Sequence, residues 1–246
     1  MRAIILAGGQ GTRLRPYTVV LPKPLMPIGE FPILEVVVKQ LVAHGFTHLT
    51  MAVNHQAELI RSFFNSGKKW GVTIDYALET TPLGTMGPLT LIDDLPEHFL
   101  VMNGDILTDL DYSGFYLDHV TADRIFSIAT YRREVRVDFG VLQSAGGNVL
   151  SGFEEKPRHV FDVSMGVYMV SRRAVSQIPR EEPFGFDDLM HQLLRAQLPP
   201  YLYRFDGYWL DIGRPDDYMV AIDDFERLKH HFLSPAKEER HGLRSH

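Results

Sequence analysis

The sequence predicts an α/β fold with a mixed, mostly parallel central sheet and helices on both of its faces. In the first half of the 246-residue chain, short apolar runs alternate with stretches whose apolar residues recur at helical spacing, which is typical of a parallel sheet covered on both faces. Beyond about Thr130, shorter extended segments separated by glycines indicate a partly antiparallel continuation. The length suits one large domain, which we expect over residues 1–234, followed by a polar tail over 235–246.

Each predicted element follows from its local pattern. Continuous apolar runs predict buried strands, and apolar residues spaced three or four apart predict helices. In chain order we expect a strand over Arg2–Leu6, a helix over Ile33–Gly45, a strand over His48–Val53, a helix over Gln56–Gly67, strands over Val72–Leu78 and His98–Asp105, a helix over Phe186–Gln197, a strand over Tyr201–Gly213 and a closing helix over Pro215–Lys229.

Composition and charge exclude several classes of protein. The formal net charge of −6 argues against a general nucleic-acid binder. The chain has no cysteine, which excludes disulfides, thiolate metal sites and a cysteine nucleophile and suits a reducing cytoplasm. No apolar stretch approaches the roughly 18–20 residues that span a bilayer, and no signal-peptide pattern begins the chain. We therefore expect a cytoplasmic protein with neither nucleic-acid nor membrane partners.

The first strand leads directly into a glycine-rich loop, Leu-Ala-Gly-Gly-Gln-Gly-Thr-Arg-Leu-Arg-Pro over residues 6–16. A strand, a tight glycine turn and a helix start form a phosphate cradle, because small residues let backbone N–H groups approach oxygens closely. A dinucleotide fingerprint would need a glycine where Leu14 stands, and a Walker loop is absent. The alternative interpretation is a structural turn with two solvated arginines.

The loop resembles the signature of sugar-1-phosphate nucleotidyltransferases, G-G-x-G-T-R-L-x-P followed by P-K-P, which here is Pro22-Lys23-Pro24. The resemblance is greatest to the mannose-1-phosphate guanylyltransferase branch. It extends over residues 6–218 through further segments in the same order, which are Glu79–Leu89, Asn103-Gly104-Asp105, Phe139-Gly140-Val141-Leu142, Phe153–Pro157 and Gly207–Tyr218.

The resemblance implies a Rossmann-like nucleotide-diphospho-sugar transferase fold and one reaction. An oxygen of the sugar 1-phosphate attacks the α-phosphorus of a nucleoside triphosphate, and pyrophosphate leaves. Arg13, Lys23 and Lys156 would be the catalytic residues, because charge must be neutralised on the reacting phosphates. Asp105 and Asp211 would hold one Mg²⁺, a hard cation that commonly takes one or two protein carboxylates and completes its shell with phosphate and water.

Two sets of binding residues are carried over from the family. The implied nucleotide-binding residues are Leu6, Ala7, Gly8, Gly9, Gly11, Thr12, Arg13, Lys23, Glu79, Pro82, Gly84, Thr85, Asn103 and Asp105. The implied sugar-binding residues are Gly140, Glu155, Lys156, Ser164 and Gly166. The structural alternatives are a turn-forming aspartate at Asp105, an exposed loop lysine at Lys23, and a surface ion pair between Lys156 and a neighbouring glutamate.

The sequence favours one pair of substrates and leaves alternatives open. Pro82-Leu83-Gly84-Thr85 favours guanylyl transfer to a manno-configured hexose or heptose 1-phosphate, whereas Thr81 and Ser164 replace an acidic residue and an asparagine found in relatives. A thymidylyl- or uridylyltransferase acting on a glucose-type sugar is the alternative, followed by a non-catalytic nucleotide-binding protein. A homodimer is possible. The residues after the closing helix are too few for the left-handed β-helix that longer relatives carry, so allosteric control is not expected.

Overall fold

The computed structural model describes residues 1–54, 56–180 and 182–233. Its strands are β1 (Arg2–Leu6), β2 (Pro27–Ile28), β3 (Phe31–Pro32), β4 (His48–Val53), β5 (Thr73–Leu78), β6 (His98–Asn103), β7 (Ile106–Thr108), β8 (Phe126–Arg136), β9 (Val141–Ser144), β10 (Leu150–Glu154), β11 (Arg158–Ser171), β12 (Tyr201–Phe205) and β13 (Trp209–Asp211). Its helices are α1 (Ile33–Ala43), α2 (Ala57–Phe64), α3 (Tyr112–Thr121), α4 (Arg172–Val175), α5 (Phe186–Arg195) and α6 (Pro215–Leu233).

A seven-stranded sheet organises the fold, in the order β12-β8-β11-β6-β1-β4-β5. β1 pairs in parallel with both β4 and β6, β4 with β5, and β12 with β8. β11 is antiparallel to both of its neighbours, β6 and β8. The sheet is therefore mixed and mostly parallel, as predicted, and its antiparallel strand lies in the second half of the chain.

Both faces of this sheet are covered by helices. Along β1, Ile5 packs into a core with α1, α2 and α3, whereas Ile4 packs into a second core with α4 and α5. This alternation follows from the two-residue repeat of a strand. A third core joins Leu14 and Ile212 to α6. It brings α6 against the loop that follows β1. Among the described helices, none is long and apolar enough to span a bilayer.

The segment between β8 and β11 differs from the rest of the molecule. We call residues 137–157 the hairpin arm: they contain the antiparallel pair β9–β10, and the Val137 amide donates to the Pro157 carbonyl across its base at 3.0 Å. Large apolar side chains of the arm are exposed, including Phe139, Leu142 and Phe153 at 77%, 69% and 60%. The arm therefore contributes no residue to the three buried cores of the described chain.

Several predicted boundaries need correction. The predicted strand over Tyr201–Gly213 is two strands, because the chain turns after Phe205, where the Tyr208 amide donates to the Asp109 carboxylate at 2.7 Å. β12 joins the edge of the large sheet, and β13 pairs with β7 instead. Helix α3 was not predicted; Asp111 caps it by accepting from the Gly114 amide at 2.9 Å.

Helix ends also differ from the prediction. The first predicted helix ends at Ala43 rather than Gly45, and the second begins at Ala57 and ends at Phe64, where Asn65 takes a positive φ of 47°. The closing helix α6 continues beyond its predicted end at Lys229 to Leu233. The predicted polar tail over 235–246 lies outside the described residues.

Candidate active site

The glycine loop begins where central strand β1 ends. The Ala7 amide donates to the Ala52 carbonyl at 2.8 Å, and the Asn54 side-chain amide donates to the Gly8 carbonyl. Gly11 has a φ of +60°, and a Cβ there would lie 2.9 Å from Thr18 Cγ2. The Thr18 hydroxyl also donates to the Gly11 carbonyl at 2.7 Å. Only glycine suits this position, because a side chain would be strained and would displace Thr18.

The loop forms one wall of a cleft of about 560 Å³. Every residue predicted to bind the nucleotide lines this cleft. The parallel register explains the convergence: β1, β4 and β6 end at the same edge of the sheet, so Leu6, Asn54 and Asn103 lie together. We call this opening the glycine-loop cleft. Its remaining lining residues are Gln10, Pro24, Asn54, Pro88, Gly104 and Gly213.

A buried cation lies on the floor of the cleft. Lys23 is only 8% exposed, and its ammonium group forms an ion pair and hydrogen bond with Asp105 Oδ2. Asp105 follows the turn that ends β6, where the Gly104 amide donates to the Leu6 carbonyl at 3.0 Å. Lys23 is therefore not the exposed loop lysine of the alternative interpretation. Burial of a lysine without such a partner would be costly.

Asp211 reaches the same place from the other end of the chain. Strand β13 pairs with β7, and the Ile212 amide donates to the Asp105 carbonyl at 3.2 Å. Partial burial raises the pKa of Asp211, and the negative charge of Asp105 raises it further, against smaller lowering effects of Lys23 and Arg13. The two carboxylates thus lie close enough to repel each other. Such an arrangement favours a cation between them.

A third wall of the cleft comes from residues 79–88. The Glu79 carboxylate accepts from the Leu83 amide at 3.1 Å, and burial raises the pKa of Glu79 despite this hydrogen bond. Gly84 has a φ of +78°, and a Cβ there would lie 2.7 Å from the Phe184 carbonyl oxygen. The Thr85 hydroxyl accepts from the Phe186 amide at 2.7 Å. These contacts fix the segment to the start of α5.

The predicted sugar-binding residues are divided between two places. Gly166 lies against the cleft residue Asn103, since a Cβ at Gly166 would lie 2.7 Å from Asn103 Nδ2, and the Gly166 amide donates to Ser164 Oγ at 3.2 Å. Gly140, Glu155 and Lys156 lie on the hairpin arm and are exposed. None of these five predicted residues is part of the cleft lining. The structure therefore assembles the predicted nucleotide residues and leaves three of the five predicted sugar residues apart, on the arm.

Sequence reasoning missed two groups of residues. Asn54 lines the cleft, and the same argument from strand ends that identified Asn103 applies to it, because it follows β4 directly. A second pocket of about 400 Å³ adjoins the cleft on the Asp211 side and was not predicted as a unit. It is lined by Arg13, Tyr131, Arg133, Trp209, Leu210, Asp211, Gly213, Arg214 and Asp217.

Comparison with known proteins decides the family. A family model described as Nucleotidyl transferase matches residues 2–227, which include the glycine loop, residues 79–88 and both aspartates. The chain belongs to this nucleotidyl transferase family. The Mannose-1-phosphate guanyltransferase of Schizosaccharomyces pombe is 30% identical over 96% of this chain and 68% of its own length. The resemblance inferred from the motifs is therefore confirmed.

Two further relatives of this nucleotidyl transferase are 33% identical to it. They are the UTP--glucose-1-phosphate uridylyltransferase of Synechocystis sp., over 90% of this chain, and the Mannose-1-phosphate guanyltransferase of Yarrowia lipolytica, over 89%. The alignment covers 62% of each relative's own length. The chain thus spans less than two thirds of these curated relatives.

Solved structures agree with the predicted fold. A structure titled as a putative glucose-1-phosphate thymidylyltransferase from Bacillus anthracis superposes with a TM-score of 0.73 at 24% identity, over 91% of this chain and 94% of that one. HddC from Yersinia pseudotuberculosis superposes with a TM-score of 0.71 at 26% identity, over 91% of this chain and 99% of that one. The fold predicted from the sequence is confirmed by both superpositions.

Proposed function

We propose that this nucleotidyl transferase joins a nucleoside triphosphate to a sugar 1-phosphate, giving a nucleoside diphosphate sugar and pyrophosphate. One observation carries the proposal: the glycine loop, Lys23 and Asp105 line one cleft, and Asp211 of β13 lies beside it, close enough to Asp105 for the two carboxylates to interact. Family membership supports it, because the relatives named above are nucleotidyltransferases for sugar 1-phosphates.

The residues of the cleft account for the electrostatic demands of this reaction. A phosphate oxygen of the sugar 1-phosphate forms a bond to the α-phosphorus, and the bond from that phosphorus to the β-phosphate oxygen breaks. Pyrophosphate leaves with the bonding electron pair. Arg13 would hold the leaving phosphates through its planar fork of donors, and Lys23 would act as a fixed positive charge close to the reacting phosphoryl group. The loop backbone would receive phosphate oxygens.

The pair Asp105 and Asp211 fits a divalent cation, which we propose is Mg²⁺. Both offer hard carboxylate oxygens, their backbones are hydrogen-bonded, and the negative charge of Asp105 raises the pKa of Asp211. In the described part of the chain no cluster of three or more ligating side chains forms, so substrate phosphates and water would supply the remaining ligands. When bound, the ion would neutralise charge on the triphosphate.

Guanylyl transfer to a manno-configured sugar phosphate is the form of the reaction that we favour. The Pro82–Thr85 segment lines the cleft, several relatives are named mannose-1-phosphate guanyltransferases, and HddC was also solved in complex with GMP-PN, with a TM-score of 0.69 to this chain at 25% identity. Uridylyl or thymidylyl transfer to a glucose-type sugar is the second candidate, because the Synechocystis relative is a uridylyltransferase.

The test is a matrix of four nucleoside triphosphates against a panel of sugar 1-phosphates, with pyrophosphate release measured in the presence of Mg²⁺. We expect GTP with mannose 1-phosphate or a manno-configured heptose 1-phosphate to give the highest kcat/KM. Release from UTP or dTTP with glucose 1-phosphate alone would select the second candidate. No pyrophosphate from any combination, by a protein that still binds the nucleotides, would contradict the proposed reaction.

A further inference from the structure

The second pocket carries an inference that goes beyond the nucleotide side of the proposed reaction. We call it the arginine pocket, because Arg13, Arg133 and Arg214 line its volume of about 400 Å³. It shares Arg13 and Gly213 with the glycine-loop cleft, so the two openings are continuous around Arg13. A molecule in the arginine pocket would therefore lie next to a nucleotide in the cleft.

The arginine side chains of this pocket differ from most others in the molecule. Among the described residues, none of the three guanidinium groups forms an ion pair or a hydrogen bond. In contrast, Arg124 and Arg158 are paired with carboxylates on neighbouring elements. Of the three, only Arg13 has an electrostatic interaction within the described chain, which is with Asp211. The three guanidinium groups outnumber the two carboxylates of the pocket, Asp211 and Asp217, and so leave a positive potential that an anion would neutralise. Their planar donor forks suit a phosphate in particular.

The rest of the lining suits a sugar. The rings of Tyr131 and Trp209 lie 5.3 Å apart, and the Trp209 indole donates to the Met165 carbonyl at 3.0 Å, which fixes its orientation. Aromatic surface of this kind can cover the apolar face of a sugar ring, while the Asp217 carboxylate offers an acceptor for hydroxyl groups. Cations, aromatic rings and an acceptor together match a phosphorylated sugar.

We propose that the arginine pocket binds the sugar 1-phosphate, with Arg133 and Arg214 holding its phosphate and Trp209 contacting the ring. The inference rests on the proposed function, since it assigns the second substrate of that reaction. It gives a role to Arg133 and to Arg214, which the family resemblance left without one. Arg13, shared by both openings, would lie between the two phosphate groups that must meet.

Strand geometry provides a matched control for Arg133. Successive side chains of a strand point to opposite faces, so Tyr131 and Arg133 share one face of β8. Arg132 lines a different pocket on the other face, with Thr130 and Asp162. Both Arg132 and Arg133 are exposed. Arg132→Met therefore removes the same charge one residue away without altering the arginine pocket.

The experiment compares Arg133→Met, Arg214→Met and Arg132→Met with the unmodified protein. We expect Arg133→Met and Arg214→Met to raise the KM for sugar 1-phosphate by roughly 10- to 100-fold, the loss typical of a hydrogen bond to a charged group. The KM for the nucleotide should stay within about twofold. Arg133→Lys should give an intermediate KM, because it keeps the charge but loses the fork. Arg132→Met should change neither constant.

Two outcomes overturn the inference while leaving the proposed function intact. In one, the unmodified protein is active and the pocket variants keep its KM for sugar 1-phosphate. In the other, the variants raise only the KM for pyrophosphate in the reverse reaction, which would assign the pocket to the leaving group. If the unmodified protein is inactive, calorimetric titration with mannose 1-phosphate and glucose 1-phosphate decides: binding lost in Arg133→Met and Arg214→Met but kept in Arg132→Met supports the pocket, and equal or absent binding in all proteins contradicts it.

Discussion

The glycine-loop cleft and the hairpin arm both carry residues that the sequence assigns to substrate binding. They differ in how firmly the fold holds these residues in place. In the cleft, Lys23 is 8% exposed and is paired with Asp105. On the arm, Glu155 and Lys156 are exposed and follow the last strand of a separate two-stranded sheet, β9–β10. The register of the parallel sheet places the predicted nucleotide-binding residues together at one edge of the sheet. Nothing comparable fixes the predicted sugar residues of the arm.

The largest expected effect comes from substituting the two aspartates of the proposed metal site, Asp105 in the cleft and Asp211 in the neighbouring pocket. Asp211→Asn and Asp105→Asn should each lower kcat by roughly 10²- to 10³-fold in Mg²⁺, because each removes a ligand charge where phosphate charge must be stabilised. Their stabilities should differ. Asp211→Asn relieves repulsion by Asp105 and should keep the melting temperature, whereas Asp105→Asn leaves buried Lys23 without its partner and should cost about 2–3 kcal/mol.

Steady-state kinetics and thermal unfolding of both variants check this prediction. Asp138→Asn is the control, since Asp138 is an exposed carboxylate of the arm. Full activity of Asp211→Asn would remove Asp211 from the proposed metal site. Equal stability of Asp105→Asn and Asp211→Asn would contradict the dependence of Lys23 on Asp105.

A smaller effect compares two glycines with the same backbone conformation. Gly84 in the cleft and Gly147 on the arm have φ values of +78° and +67°. Alanine should cost both about 1–2 kcal/mol through the left-handed conformation. A Cβ at Gly84 would also lie 2.7 Å from the Phe184 carbonyl oxygen, whereas a Cβ at Gly147 would meet no atom within 4 Å.

Urea denaturation should therefore show a loss for Gly84→Ala that exceeds the loss for Gly147→Ala by at least about 1 kcal/mol. Only Gly84→Ala should raise the KM for the nucleotide, because the displaced segment lines the cleft. If both variants lose the same stability, the contact between residues 79–88 and the start of α5 is not as rigid as the structure indicates.

The contrast between cleft and arm also explains which parts of the fold and of the site could be predicted from the sequence. Strand ends in a parallel sheet meet at one edge, so the motif residues after β1 and β6 could be grouped before any coordinates were known. The family resemblance adds Lys23 to them. The split between β12 and β13 could not, because it depends on a hydrogen bond between Tyr208 and Asp109, which lie 99 residues apart. Arg133 and Arg214 share a pocket only because β8 and the segment after β13 meet in space.

The arm itself can be tested through its predicted sugar residues. Lys156 and Glu155 line neither the cleft nor the arginine pocket, and the family resemblance alone assigns them to the sugar 1-phosphate. On that assignment Lys156→Ala and Glu155→Ala should raise the KM for sugar 1-phosphate by about tenfold, since each would remove one polar or charged contact to that substrate. Melting temperatures should not change, because both side chains are exposed. Glu154→Ala, on the neighbouring residue of the arm, is the control. Unchanged kinetics in Lys156→Ala and Glu155→Ala would mean that the arm takes no part in sugar binding.

The smallest expected effect concerns the apolar side chains of the arm. Phe139 is 77% exposed, so Phe139→Ser should change the free energy of unfolding by less than about 0.5 kcal/mol, as for most surface substitutions. Urea denaturation at two protein concentrations checks this value. If Phe139→Ser lowered the free energy of unfolding by more than about 1 kcal/mol at both concentrations, Phe139 would have to pack against the rest of its own chain. The arm would then be held by the fold as the cleft is. A loss that grows with protein concentration would show instead that Phe139 is buried between two copies, as the predicted homodimer allows.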